Sequence, residues 1–177
     1  MENDKKLLKN ILSWIRAIII WLLIGFAIKF FLVDLTQVKG RSMDHTLHDG
    51  DLMMVNRIEN WMGKDYKRGD IVIVESPIEN KLYIKRVIGL PGEQVELKDG
   101  YFYINGEKLE EDYLDPGMTT PQTGEFFAWF LGDDDYFLVG DNRTNSNDSR
   151  KFGPIKRKNF KGQAFLRIYP FSKMGGV

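Results

Sequence analysis

Residues Ile11 to Val33 read ILSWIRAIIIWLLIGFAIKFFLV, a run in which only Arg16 and Lys29 carry charge. A helix of about 20 apolar residues crosses a bilayer, and long basic side chains near its ends can reach back to the interface. A soluble domain of this size rarely encloses a helix that is apolar on every side, so a buried core helix is the poorer account. A cleaved secretory signal usually has a shorter apolar stretch that ends at small residues. This one ends in Phe30, Phe31, Leu32, Val33 and Asp34. The run therefore reads as an uncleaved transmembrane signal-anchor over residues 11–33. Residues 1–10 precede it as a cytoplasmic N-terminus. Lys5, Lys6, Lys9 and Arg16 bias that end to the cytoplasm, and Lys39 and Arg41 oppose them less strongly. The expectation is a single-pass protein of the cell membrane with residues 34–177 on the extracytoplasmic face.

The exported part shows the period of strands. Candidates are 35–38, 52–56, 71–75, 82–88, 94–97, 101–104, 136–139 and 164–169, separated by frequent turn signals. Asp99-Gly100 and Asn105-Gly106 predict two-residue hairpin turns. Ile71 to Val74 is apolar at every position and predicts a strand covered on both faces. No long amphipathic helical pattern follows Val33. The fold class is mainly β: a single coiled or barrel-like antiparallel β domain preceded by one N-terminal transmembrane helix. Residues 110–135 look least regular.

Composition excludes several chemistries. There are no cysteines, so disulfides, Cys-ligated zinc and a Cys nucleophile are ruled out. Lys plus Arg and Asp plus Glu number 25 each, so no overall field favours nucleic acid.

Three places hold candidate chemistry. Gly40-Arg41-Ser42-Met43 sets a serine just after a strand, beside a glycine that lets backbone approach a ligand. Most serines in such places are turn residues. Lys85 lies inside the apolar strand Leu82–Ile88, on the face it shares with Tyr83 and Val87. It could guard a sheet edge against aggregation, pair with an acid, or serve as a desolvated base. An ordinary lysine is neutral about one time in a thousand at pH 7.4, a penalty of ~4 kcal/mol, and an apolar pocket can shift the pKa by that order. Gly140 to Arg150, GDNRTNSNDSR, is a polar loop whose two acids and two arginines can pair inside it. It is no calcium loop: Arg143, Ser146 and Phe152 occupy positions that need an oxygen ligand, a glycine and a glutamate.

Val38–Leu47 (VKGRSMDHTL), Gly69–Val74 (GDIVIV), Tyr83–Glu93 (YIKRVIGLPGE) and Gly140–Gly153 (GDNRTNSNDSRKFG) together resemble the ordered motifs of bacterial type I signal peptidases, the Ser/Lys leader peptidases, in their compact Gram-positive form. The resemblance covers nearly the whole chain. It implies Ser42 as acylated nucleophile, Lys85 as general base and Ser146 as the hydroxyl that orients the lysine amine. Asp141, Arg143, Asp148 and Arg150 would hold the site as structural pairs, with Gly40 and Met43 supporting the nucleophile. The Ser42 N–H would serve the oxyanion hole; Gly40 offers no side-chain donor where some relatives have a hydroxyl. No metal or cofactor is implied. The implied substrates are exported preproteins, whose signal peptides would be cut after Ala-x-Ala sites by a monomer in the lipid bilayer. His45 stands where the family usually has proline, which raises a rival Ser-His-Asp triad using His45 or His48. A further alternative is an inactive, signal-peptidase-like module that only binds preproteins.

Overall fold

A computed structural model of the chain describes residues 2–31 and 33–177. The apolar run lies in helix α1, Glu2–Phe31, which is 30 residues long, or about 45 Å at 1.5 Å per residue. It begins well before the expected span. Leu32, within that span, lies outside the described residues. The stretch Lys9–Phe26 has a mean hydropathy of 1.6, and none of it is buried. A core helix would be covered; this stretch is not.

The rest is antiparallel β structure with short helical turns. The strands are β1 Val33–Gln37, β2 Leu52–Asn56, β3 Ile71–Glu75, β4 Leu82–Gly89, β5 Gln94–Lys98, β6 Tyr101–Ile104, β7 Glu107–Lys108, β8 Ala128–Phe130, β9 Asp135–Val139, β10 Ile155–Lys156, β11 Phe160–Tyr169 and β12 Gly175–Gly176. Helices α2, Ile58–Trp61, and α3, Ser149–Phe152, are one turn each. Among the described residues one sheet runs β1-β2-β11-β3-β4-β9-β10, with β12 on β11, and a second runs β7-β6-β5-β8. The mainly β architecture with one helix in front is thus as the sequence led us to expect.

Strand β3 sits in the middle of the large sheet, and all of Ile71–Val74 is buried. Val72 and Val74 pack with Val87, Leu138 and Phe160 on one face. On the other, Ile71 joins Val38, Met43, Leu47, Met53 and Ala164. A third cluster unites the two sheets, since Ile88, Phe137 and Val139 of the large one pack with Val95, Phe102 and Trp129 of the small one. The hairpin turns form where predicted. Lys98 pairs with Tyr101 and Ile104 with Glu107. Both central residues of each turn have positive φ: +52° and +81° at Asp99-Gly100, +52° and +85° at Asn105-Gly106. That is the type I′ geometry that suits strand twist.

The segment expected to be irregular contains β8. There Trp129 enters the core while Phe126, Phe127 and Phe130 are exposed. Trp61 and Met62 on and beside α2 are exposed as well.

Candidate active site

The nucleophile segment is built by anchoring either side of it. Val38 closes β1 by donating its N–H to Asp51 (2.8 Å). Gly40 turns the chain at φ +92°, a conformation that suits glycine, and its N–H donates to Asp49 Oδ1 at 2.7 Å. Met43 and Leu47 are fully buried, and the Leu47 N–H donates to the Met43 carbonyl at 2.8 Å. Between these anchors Ser42 is half-buried and lines a groove of about 740 Å³.

Lys85 reaches the same groove from β4, where it pairs with Val72 in the buried stretch of β3. It is 2% exposed. Its Nζ donates to Ser42 Oγ at 2.7 Å and lies 5.2 Å from the centre of the Tyr83 ring, on the shared strand face that alternation predicts. Burial pulls the amine down to about 8, because a low-dielectric site disfavours the ammonium form. The Asp148 and Asp141 carboxylates work against that shift, and Arg150 assists it.

The loop 140–150 closes over this pair. The Asn142 N–H donates to the Ser42 carbonyl (3.0 Å) and its Nδ2 to the Arg41 carbonyl (2.9 Å), so the loop grips the nucleophile turn at two successive carbonyls. Asp148 caps α3 and holds Arg150 through two bonds of 2.8 and 2.7 Å. It also accepts from the Gly140 N–H at 3.1 Å. Burial alone would raise the Asp148 carboxyl, but Arg150, Ser146 and the Gly140 N–H together outweigh it and the net shift is downward. The Ser146 hydroxyl adds to that lowering without meeting hydrogen-bond geometry; its Oγ is buried with no hydrogen-bond partner. No bond from Ser146 to Lys85 is therefore present.

Pairing inside the loop holds only for Asp148 and Arg150. Asp141 is instead clamped by Arg86 of β4, with Nε on Oδ1 at 2.9 Å and Nη2 on Oδ2 at 2.6 Å, and Thr46 Oγ1 donates to it at 2.5 Å. Arg143 pairs with Glu111, Nη2 to Oε1 at 2.5 Å and Nη1 to Oε2 at 3.1 Å. These partners come from other elements to satisfy buried charges.

The histidines take no part in this contact. His45 Nδ1 faces the exposed Asp115 at 3.4 Å, and His48 is exposed. Among the described residues, no group of three His, Cys, Asp or Glu side chains converges to hold a metal.

Comparison with known proteins gives the chain a family. The family described as signal peptidase, peptidase S26, matches residues 11–169. The chain belongs to that family. Signal peptidase I of Bacillus licheniformis is 38% identical over 98% of this chain and 95% of its own length. Signal peptidase I T of Bacillus subtilis is 40% identical, covering 98% and 93% respectively. Signal peptidase IB of Staphylococcus aureus is 36% identical, covering 93% of each. The relatives place the chain among Gram-positive type I signal peptidases, which are serine endopeptidases.

For this family member, sequence reasoning missed Arg86, Thr46, Glu111 and Asn142. One signal was available for Arg86. Two successive cations, Lys85 and Arg86, stand in an otherwise apolar strand, and neighbours on a strand face opposite sides. If both faces are covered, each cation needs its own means of burial.

Proposed function

We propose that the chain is a membrane-anchored signal peptidase in which Ser42 attacks the scissile carbonyl and Lys85 is its general base. One observation carries this reading: a buried lysine amine, lowered to about 8, bonded at 2.7 Å to a serine hydroxyl in a groove. In its neutral form the amine takes the hydroxyl proton as Ser42 Oγ bonds the carbonyl carbon. The resulting ammonium protonates the leaving amine, and the C–N bond breaks to give an acyl-enzyme. Lys85, neutral again, then activates the water that releases it. The Ser42 N–H serves the oxyanion. The orienting role for Ser146 draws support from its place: its hydroxyl is buried beside the nucleophile turn, so close that a methyl group at Gly140 would meet both Ser146 Oγ and the Ser42 carbonyl oxygen.

The groove also suits an extended peptide. Strand β1 is the edge of the large sheet, and Leu82–Lys85 of β4 lie before the stretch that pairs with β9. Both segments line the groove, so a peptide could add as a strand to either edge. Val38, Ile73 and Ile84 give the groove apolar walls. Small side chains at an Ala-x-Ala site of an exported preprotein match such shallow apolar recesses. The exposed apolar helix α1 supports the anchoring, and the cations at its start support a cytoplasmic N-terminus.

Ser42→Ala and Lys85→Ala should each abolish cleavage of a model preprotein in detergent while leaving the circular dichroism spectrum unchanged. Near-normal turnover by folded Lys85→Ala would remove the dyad. Loss of turnover in His45→Ala would then favour the histidine triad.

A further inference from the structure

The chain between β7 and β8 carries most of the contacts that hold Arg143. The Arg143 side chain is fully buried, and a buried guanidinium needs an anionic partner. Its own loop supplies none, since Asp141 is taken by Arg86 and Asp148 by Arg150. The partners come from residues 111–120. Glu111 makes the two bonds already described, Thr120 Oγ1 accepts from Nη1 at 2.7 Å, and Tyr113 Oη accepts from Nη2 at 3.2 Å. Tyr113 also donates to Glu111 and lays its ring 3.9 Å from the Arg86 guanidinium. The Pro121 carbonyl accepts from Arg150 Nη1 at 3.0 Å. At Gly124 even a methyl group would overlap the Arg150 carbonyl. One strap, residues 111–124, thus touches the three arginines that hold the loop in place.

The path from strap to nucleophile is short. Arg143 follows Asn142, which binds the Ser42 and Arg41 carbonyls. The Arg143 carbonyl accepts from Arg150 Nη1 at 2.8 Å, which ties it to Asp148 and Gly140. Moving the Arg143 side chain therefore moves the backbone that sets Ser42.

We propose that Glu111 is a positioning residue of this site, and that the strap fixes the distance from Ser42 to Lys85 by gripping Arg143. The inference rests on the Ser42/Lys85 reading given above. A merely structural Glu111 would lower melting temperature without touching turnover of the folded enzyme. A positioning one lowers kcat and leaves KM in place, because displacements of about 1 Å cost rate far more than they cost binding.

The test uses the full chain in detergent with a model preprotein, each variant assayed well below its own melting temperature. Glu111→Gln should lose about 10-fold or more in kcat with KM within two-fold, and Glu111→Asp should recover part of it. Asp112→Asn makes the same charge change at an exposed neighbour on the strap and should match wild type. If Glu111→Gln does not fold, Thr120→Val decides, since it removes one Arg143 bond without changing charge; it should lower kcat several-fold with KM unchanged. Wild-type kcat in either folded variant, a change confined to KM, or an equal loss in Asp112→Asn each overturn the proposal. Lys85→Ala runs in parallel: turnover there would defeat the dyad itself and is read separately from the Glu111 result.

Discussion

The lysine amine sets the working pH. Only the neutral form can take a proton, so activity should be lost as pH falls below the Lys85 value and should rise through about 8. An unperturbed lysine would put the midpoint near ~10.4 and a histidine near ~6.5. Measuring kcat/KM from pH 5 to 11 separates the three, since that ratio reports groups of the free enzyme. A midpoint near 6.5 would count against Lys85. The same shift acts on stability: between about 8 and 10.5 the unfolded chain holds a proton that the native one does not, so stability rises with pH across that window. Ser42 and Lys85 lie 43 residues apart, and each alone looked like an ordinary turn or edge residue. Their motifs made them legible. Of the buried ion pairs only Asp148–Arg150 was; Arg86–Asp141 and Arg143–Glu111 were not, because a loop with two acids and two arginines offers a local pairing, and only the folded domain brings Arg86 and Glu111 within reach.

Elements of full length were easier to see than short ones. β2, β3 and β6 have the bounds that their apolar pattern predicts, and both hairpin turns follow from Asp-Gly and Asn-Gly, which tolerate positive φ. β7, β8, β10 and β12 are two or three residues long, too short to show a period, and they form because a neighbour offers an edge. The junction of β9 with the loop carries a sharper demand. A methyl group at Gly140 would overlap the Ser146 hydroxyl and the Ser42 carbonyl oxygen. Gly140→Ala should therefore displace the loop and the nucleophile turn together. We expect a stability loss of about 1–3 kcal/mol, typical of overpacking, and cleavage reduced about 100-fold. Thermal melts and preprotein cleavage on the same samples test it, and wild-type turnover would show that the loop can yield without cost to the site.

At the scale of the molecule the chemistry and the apolar helix are separate. The groove, Lys85 and the loop all lie beyond α1, while Val33 pairs with Asn56 at the start of β1. A fragment of residues 33–177 should be soluble and should cleave short peptides, yet process preproteins in vesicles poorly, since it lacks confinement to their surface. A fragment that is folded but inactive toward peptides would mean that α1 contributes to the site itself. Only Leu32 separates α1 from β1 in the chain, and β1 is one wall of the groove. On the proposed anchoring, this leaves the tether no slack. Ser42 follows Val33 by nine residues, at most about 30 Å of chain. The nucleophile would then stand at a set height above the membrane plane, so the enzyme would act as a ruler: the spacing from a substrate's own apolar segment to its scissile bond would help decide which bond is cut.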